Sequence, residues 1–173
     1  TGESECVVAG GMENMSLAPY ILPEARVGLR MGEKKILDTM VSDGLWDPYN
    51  NFHMGNAAEL CVKEYKFSRE EMDRFAKQSF ERAQNAIKSG AFKNEIVPVE
   101  IPQRKGDPLL FDTDEGPAKA DFAKMAGLRP AFDKAGSITA ANASTINDGA
   151  AALVVASREF ADKHGLKPMD RIL

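Results

Sequence analysis

The 173-residue sequence has only two cysteines, Cys6 and Cys61, and only two histidines. It therefore offers neither a disulfide framework nor the Cys/His spacing of a metal site, and we predict no bound metal. It also lacks an apolar run near the roughly 20 residues that a membrane helix requires. Its first residues lack the basic-then-apolar order of a signal peptide. These absences predict a protein of the reducing cytoplasm that does not associate with membranes.

An excess of positive charge is missing as well. Lys and Arg number 22 against 26 Asp and Glu, which gives a net charge of -4. This balance argues against a nucleic-acid partner, which usually requires a basic face. It leaves open an anionic ligand, because such a ligand needs only a local cluster of lysines.

A long helix is the clearest element in the sequence. Ser68 and Glu71 form a capping box, in which each side chain can bond the other residue's backbone N–H. Apolar residues then recur at helical spacing for about five turns, and they are Met72, Phe75, Ala76, Phe80, Ala83, Ala86 and Ile87. Gly90 supplies the left-handed residue that ends such helices.

Four further helical segments are predicted. Residues 31–40 carry apolar side chains at helical spacing and predict a short helix. Another helix is expected to begin near Asn56 and to bury one face, made of Ala58, Cys61, Val62 and Tyr65. Phe122–Met125 can form one turn. A last helix follows Ser157, its N-cap, and stops at Gly165.

Two apolar runs near the ends of the sequence predict buried strands. Residues 6–9 form a run closed by a Gly-Gly pair. Residues 150–156 fit a central strand covered on both faces, with a buried helix as the alternative. Between them, residues 95–101 and Leu109–Phe111 predict a ribbon at a sheet edge. Residues 171–173 resemble the start of another strand, so the sequence reads as an internal fragment of an α/β protein with a parallel or mixed sheet.

Seven stretches, taken in order along the sequence, resemble the thiolase family. They are residues 8–16 (VAGGMENMS), 43–47 (DGLWD), 53–59 (HMGNAAE), 68–79 (SREEMDRFAKQS), 128–132 (LRPAF), 139–144 (TAANAS) and 147–151 (NDGAA). One such motif could arise by chance, whereas an ordered set across the whole chain is specific.

The resemblance implies a layered α/β fold and a division of the chain into four parts. Residues 1–16 would end the N-terminal domain, and residues 17–143 would form the loop domain with the coenzyme A-binding segment. Residues 144–158 would return to the N-terminal domain as a strand, and residues 159–173 would begin the C-terminal domain. It also implies a homo-oligomer, either a dimer or a tetramer.

The activity implied by the resemblance is that of an acetyl-CoA C-acetyltransferase. Such an enzyme joins two acetyl-CoA into acetoacetyl-CoA and CoA, or runs the reverse thiolysis, with CoA thioesters as substrates and no separate cofactor. Family members use a nucleophilic cysteine upstream of the stretch at residues 8–16, and a histidine and second cysteine in C-terminal motifs that this sequence lacks. Cys6 and Cys61 are both expected to be inert packing residues. We therefore expect no catalytic residue here, and no activity from this chain alone.

The resemblance places the pantetheine arm of CoA against Ala140, Ala143 and Ser144. A thin, flexible ligand requires small side chains along its path and a hydroxyl that can bond its amides. On the residues alone, a simple tight turn is the alternative.

Five more residues are assigned to the ends of the substrate. The resemblance places His53 and Met54 at the acyl end and favours short acyl chains; a structural histidine is the alternative. It places Lys119, Asp121 and Lys124 at the nucleotide end, where lysines would offset phosphate charge and Asp121 could accept from the adenine amino group. A solvated surface loop is the alternative there.

Two contrasting functions stay open at this point. One is a thiolase-like CoA-binding protein without condensing activity, and the other is a module for oligomer assembly. Some family members bind potassium through a tyrosine of the long helix. Phe80 stands at the matching position and has no oxygen, so we predict no such site.

Overall fold

The computed structural model describes residues 2–172, which divide into two compact units. The first contains the chain up to Ser42 together with the chain from Ile146 onward, and the second contains Asp43–Thr145. Strands and helices, numbered in chain order, are β1 (Cys6–Asn14), β2 (Tyr20–Ile21), β3 (Leu37–Asp38), β4 (Trp46–Asp47), β5 (Phe52–His53), α1 (Met54–Tyr65), α2 (Arg69–Ser89), β6 (Val99–Ile101), β7 (Leu109–Phe111), α3 (Glu115–Ala118), α4 (Phe122–Met125), β8 (Asp148–Ala156) and α5 (Arg158–Lys163).

The first unit is built on the pairing of β1 with β8. The strands are antiparallel over nine residues each, with Cys6 opposite Ala156 and Asn14 opposite Asp148. A purely parallel sheet is therefore wrong, whereas an antiparallel pair is compatible with the mixed sheet that was the other expectation. Strand β1 also continues through the Gly-Gly pair to Asn14. Gly10 allows β8 to approach closely, since a side chain there would collide with the backbone oxygen of Ala151.

The expectation that residues 150–156 are covered on both faces is also wrong for this chain. Every residue of β8 is exposed, and Leu153 keeps 70% of its surface accessible. The opposite strand behaves in the same way, since Val8 is 73% exposed. An apolar run reports strand propensity, but it does not specify what packs against the strand.

Polar side chains close the end of this ladder. The Ser16 N–H donates to Asp148 Oδ1 at 2.9 Å, and this bond lowers the pKa of Asp148. The Leu17 N–H donates to Asn14 Oδ1 at 3.1 Å and begins a 3₁₀ turn at Met15–Leu17. These two hydrogen bonds fix the backbone of Met15–Leu17, where the chain leaves β1.

The helix predicted at residues 31–40 is wrong. Strand β3 pairs with β2, with Ile21 opposite Leu37 and Tyr20 opposite Asp38. Gly32 has a φ of +114°, which a right-handed helix does not contain. A π-helical turn, Met40–Leu45, follows instead.

The last helix of the first unit follows the prediction. Ser157 caps α5 by accepting from the Phe160 N–H at 3.1 Å, and Gly165 follows the helix with a φ of +64°. The strand predicted to begin at residue 171 is wrong for residues 171 and 172, which are irregular. Leu173 lies outside the described residues.

The second unit is organised by α1 and α2. Helix α2 has the predicted start and stop: both capping-box bonds form between Ser68 and Glu71, and Gly90 adopts a left-handed conformation with a φ of +67°. Helix α1 begins at Met54, earlier than expected, with His53 as its N-cap.

The buried face of α1 differs from the prediction. Gly55 and Glu59 are buried, whereas Cys61 and Tyr65 are exposed. The expectation that Cys61 packs against the core is therefore wrong. Gly55 allows the ring of Phe132 to lie directly against the helix backbone, and a side chain there would overlap that ring.

The remaining elements of this unit are short. Strands β6 and β7 form the predicted ribbon, which is antiparallel, with Val99 opposite Phe111 and Ile101 opposite Leu109. The first strand is shorter than the predicted residues 95–101, and within the described residues the two form a sheet of their own, so the expected position at a sheet edge is wrong. Helix α4 forms at the predicted position, and the short helix α3, which was not predicted, precedes it.

The capping box of α2 makes stability depend on pH. Two bonds from Ser68, the first from its N–H and the second from its hydroxyl, lower the pKa of Glu71 below its ordinary value of 4.5. The stability that Glu71 contributes is complete above pH 4.5 and is lost as pH falls through the lower folded-state value. We expect Glu71→Gln to lower the free energy of unfolding in urea at neutral pH, with a gap that closes in acid. Glu70→Gln, in the same turn but outside the capping box, is the control; a gap that is constant with pH would contradict the mechanism.

The contact between Gly55 and Phe132 can be tested by overpacking. Gly55→Ala forces the Phe132 ring to move, and we expect a loss of about 1–3 kcal/mol in the free energy of unfolding. Gly116→Ala is a matched control, because a side chain at Gly116 meets no atom within 4 Å. Equal effects of the two substitutions in urea titrations would show that the close approach is unimportant.

Candidate functional site

All eight residues that the sequence assigns to substrate binding lie in the second unit. They occupy three places, which are the start of α1 (His53 and Met54), the region of α3 and α4 (Lys119, Asp121 and Lys124), and the segment of residues 137–144 (Ala140, Ala143 and Ser144).

The segment of residues 137–144 contains no helix or strand. Its Thr139 is fully buried, while Ala140 and Ser144 are exposed and Ala143 is half-buried. The N–H groups of Asn142 and Ala143 both donate to the Thr139 carbonyl, at 3.2 and 2.9 Å. A tight turn therefore presents small side chains and the Ser144 hydroxyl at the surface.

Glu59 of α1 holds the beginning of this segment. Its carboxylate is only 3% exposed. It accepts from the Ser137 N–H at 2.9 Å and from the Ile138 N–H at 2.8 Å. Gly136 is required beside it, because a side chain there would overlap the carboxylate. We did not predict this role, and no local signal indicates it, because the partners of Glu59 lie 78 and 79 residues away along the chain.

Asn142 holds the middle of the segment through three hydrogen bonds. Its Oδ1 accepts from the Thr139 N–H at 2.7 Å, and its Nδ2 donates to the Ser137 carbonyl at 3.1 Å. The same Nδ2 donates to Asp73 Oδ1 at 2.9 Å, which connects the segment to α2.

Arg69 completes this network at the start of α2. Its Nε donates to Asp73 Oδ2 at 2.8 Å. Its other nitrogens donate to the carbonyls of Met125 at 2.8 Å and Leu128 at 3.2 Å, directly after the residues assigned to the nucleotide. Sequence reasoning missed this role, although Arg69 and Asp73 are one helical turn apart and can pair.

His53 is held in one orientation at the start of α1. Its Nδ1 accepts from the Gly55 N–H at 2.9 Å, and its ring stacks on Phe132 with the centroids 4.9 Å apart. In this arrangement a neutral imidazole carries its hydrogen on Nε2, which becomes the donor. Met54, the next residue, is 39% exposed.

The two lysines assigned to the nucleotide each pair with a carboxylate. Lys119 Nζ lies 2.7 Å from Glu115 Oε2, and Lys124 Nζ lies 2.8 Å from Asp121 Oδ2. The hydrogen bond from Lys124 lowers the pKa of Asp121, and the same bond raises the pKa of Lys124. Both pairs are exposed, so this loop carries cations whose charges are balanced locally.

The loop itself is anchored to α2. Gln84 Nε2 donates to the Pro117 carbonyl at 2.7 Å. The ring of Phe80 contacts that of Phe122, with the centroids 6.4 Å apart. The surface that carries Lys119 and Lys124 therefore lies on the side of α2 that also holds Arg69.

Other kinds of site are not evident in the residues that the structure describes. Cys6 is half-buried in β1, and Cys61 is exposed on α1. Between residues 2 and 172, no group of three His, Cys, Asp or Glu side chains is arranged to hold a metal ion. No helix in that range is both long enough and apolar enough to cross a membrane.

Comparison with known proteins identifies the family. The family model described as "Thiolase, N-terminal domain" matches residues 1–159. The chain is 57% identical over 172 residues to the acetyl-CoA acetyltransferase of Cupriavidus necator, covering 99% of this chain and 44% of that protein. It is 53% identical over 172 residues to the acetyl-CoA acetyltransferase of Pseudomonas aeruginosa, with the same coverage.

A solved structure shows the same fold. The crystal structure of the Bacillus anthracis acetyl-CoA acetyltransferase superposes with a TM-score of 0.89 at 46% identity, covering 96% of this chain and 42% of that one. The chain thus spans less than half the length of the relatives that it matches. With a matching family model over most of its length and relatives of this similarity, the chain belongs to the thiolase family and has an α/β, thiolase-like fold.

Proposed function

We propose that this chain is the CoA-binding part of an acetyl-CoA acetyltransferase. The parent enzyme would join two acetyl-CoA into acetoacetyl-CoA and CoA, or run the reverse thiolysis. The observation that carries this proposal is the exposed Ser144, presented on small residues whose backbone is fixed by Glu59 and Asn142. Membership of the thiolase family and the acetyltransferase relatives support it.

Ser144 would bond the pantetheine arm. Its hydroxyl can donate to an amide carbonyl or accept from an amide N–H. Ala140 and Ala143 leave room beside it for a thin ligand. The turn at Thr139 is held by hydrogen bonds within the protein, which would lower the cost of ordering this segment on binding.

His53 would contact the acyl end of the thioester. The Gly55 N–H occupies Nδ1, so the hydrogen on Nε2 is the one available to a thioester carbonyl. The stack on Phe132 restricts ring rotation and keeps that donor in place. Met54 would add an apolar surface, which suits a short acyl chain.

The nucleotide end would contact Lys119, Asp121 and Lys124. An ammonium group has three donors, so each lysine can keep its carboxylate and still bond a phosphate oxygen. The low pKa of Asp121 keeps it an acceptor, as a bond from the adenine amino group requires.

We assign no catalytic group to this chain. Cys6 lies in a strand, and Cys61 lies on an exposed helix face away from Glu59. Nucleophile, acid and base would come from other parts of the parent enzyme, so this chain alone should be inactive.

We also infer the setting of the parent enzyme. Residues 17–143 would form its loop domain, inserted between two parts of the N-terminal domain, residues 1–16 and 144–158. Residues 159–173 would begin the C-terminal domain. The enzyme would be a cytoplasmic homo-oligomer that uses CoA thioesters without a separate cofactor. A CoA-binding or assembly module without activity is the less favoured alternative, because the relatives are named as acetyltransferases.

A hybrid enzyme can test the role of Ser144. These 173 residues would replace the matching segment of the Cupriavidus necator acetyltransferase. In this hybrid, Ser144→Ala should raise KM for acetoacetyl-CoA by about 2–10-fold with little change in kcat, because it removes one hydrogen bond made in both ground and transition states. Ser79→Ala, on the exposed surface of α2, is the control. An unchanged KM would contradict the assignment, and calorimetric titration of CoA into the 173-residue chain gives a second measure of it.

The cysteines provide a separate prediction. Cys6→Ala and Cys61→Ala should leave kcat of the hybrid unchanged, since neither sulfur takes part in acyl transfer. The purified 173-residue chain should not cleave acetoacetyl-CoA. Cleavage by that chain, abolished by either substitution, would show that the catalytic assignment is wrong.

A further inference from the structure

One ion pair contacts both of the segments that the proposed function assigns to CoA. Arg69 and Asp73 lie one turn apart at the start of α2, with side chains 20% and 15% exposed. Arg69 donates to the Met125 and Leu128 carbonyls, and Asp73 accepts from Asn142. We call residues 119–124 the nucleotide loop and residues 137–144 the pantetheine segment. The pair therefore joins the end of the nucleotide loop to the pantetheine segment.

The Asp73 side determines the orientation of the Asn142 amide. An ionised carboxylate can only accept, so the Nδ2 of Asn142 must face Asp73. Its Oδ1 must then face the Thr139 N–H, which donates to it at 2.7 Å. The turn that begins at Thr139 is thereby fixed at Asn142, which is two residues before Ser144.

The Arg69 side determines the position of the other segment. The planar guanidinium uses three different nitrogens for three acceptors, which a lysine ammonium cannot match in the same geometry. Met125 directly follows Lys124 and is buried, so its carbonyl is a fixed point at the end of the nucleotide loop.

We propose that the Arg69–Asp73 ion pair is a positioning element that sets the spacing between the nucleotide loop and the pantetheine segment. This inference rests on the proposed function. It follows that the pair matters most for ligands that contact both segments at once, which are intact CoA thioesters. A thioester of pantetheine without the nucleotide contacts one segment and depends on Asp73 alone.

Two variants of the hybrid enzyme separate the two sides of the pair. Arg69→Lys keeps a cation beside Asp73 but loses the paired bonds to Met125 and Leu128. It should raise KM for acetoacetyl-CoA by about 3–10-fold and leave KM for acetoacetyl-pantetheine unchanged. In Asp73→Asn an amide nitrogen replaces one of the two acceptor oxygens, so Arg69 and Asn142 can no longer both bond this side chain, and KM should rise for both substrates. Arg82→Lys, on the same helix and exposed, is the matched control and should change neither value.

Amide hydrogen exchange on the 173-residue chain provides a measurement without ligand. Asp73→Asn should speed exchange at Asn142 and Ala143, whose N–H groups bond Thr139. Arg69→Lys should speed exchange at Gly127 and Leu128, whose N–H groups bond Lys124 and Met125.

The outcomes distinguish this inference from the proposed function. Equal KM increases for both substrates in both variants would indicate general destabilisation and overturn the positioning role. Unchanged exchange at both segments would overturn it as well. Altered exchange, with KM unaffected by both variants and by Ser144→Ala, would overturn the proposed function and leave the mechanical connection of the segments intact.

Discussion

The conformation of residues 137–144 depends on side-chain acceptors, because a backbone outside helices and sheets still has to pair its buried N–H groups. A buried donor without a partner costs about 1–3 kcal/mol. The Glu59 carboxylate accepts from the N–H groups of Ser137 and Ile138, and the Asn142 side-chain oxygen accepts from the N–H of Thr139. Carboxylate acceptors make stronger bonds than neutral ones. Helix α1 through Glu59, and helix α2 through the bond between Asp73 and Asn142, thus fix this loop.

The pairing of the lysines is compatible with a role in phosphate binding. Exposed ion pairs contribute roughly 0–1 kcal/mol, so sharing or releasing a carboxylate costs little. A phosphate group carries more charge than one carboxylate and accepts through several oxygens. Under the proposed function, Lys119 and Lys124 could therefore bond a phosphate without being committed to Glu115 and Asp121.

Local signals in the sequence predicted where helices and strands lie better than they predicted what pairs with them or packs against them. The capping box and Gly90 delimit α2 because both act within a few residues of the helix ends. The helix predicted at residues 31–40 failed because Leu37–Asp38 pairs with a distant strand, which helical spacing cannot reveal. The exposure of β8 and its antiparallel direction depend in the same way on what lies opposite.

The candidate site divides along the same line. Ser144, His53 and the lysines were assigned because local motifs around them resemble the thiolase family, and their contacts with substrate stay predictions. Glu59 could not, since its partners lie 78 and 79 residues away along the chain. Among the described residues of the second unit, the buried apolar side chains are Met125 and Ile138, so hydrophobic patterning had little core to report there. Long-range polar contacts position the segments that carry the assigned residues, and residue patterning does not reveal those contacts.

His53 shows how one local contact can determine chemistry. A residue that caps a helix through Nδ1 cannot also use that nitrogen towards a ligand. The cap therefore selects the tautomer, and the Phe132 ring selects the direction in which the remaining N–H points. Gly55 is necessary for both, because it supplies the N–H that bonds His53 and leaves space for Phe132. Gly55 thus affects the cap of α1, the packing of Phe132 and the N–H of His53 that is assigned to the acyl group. This part of the site depends on a residue with no side chain.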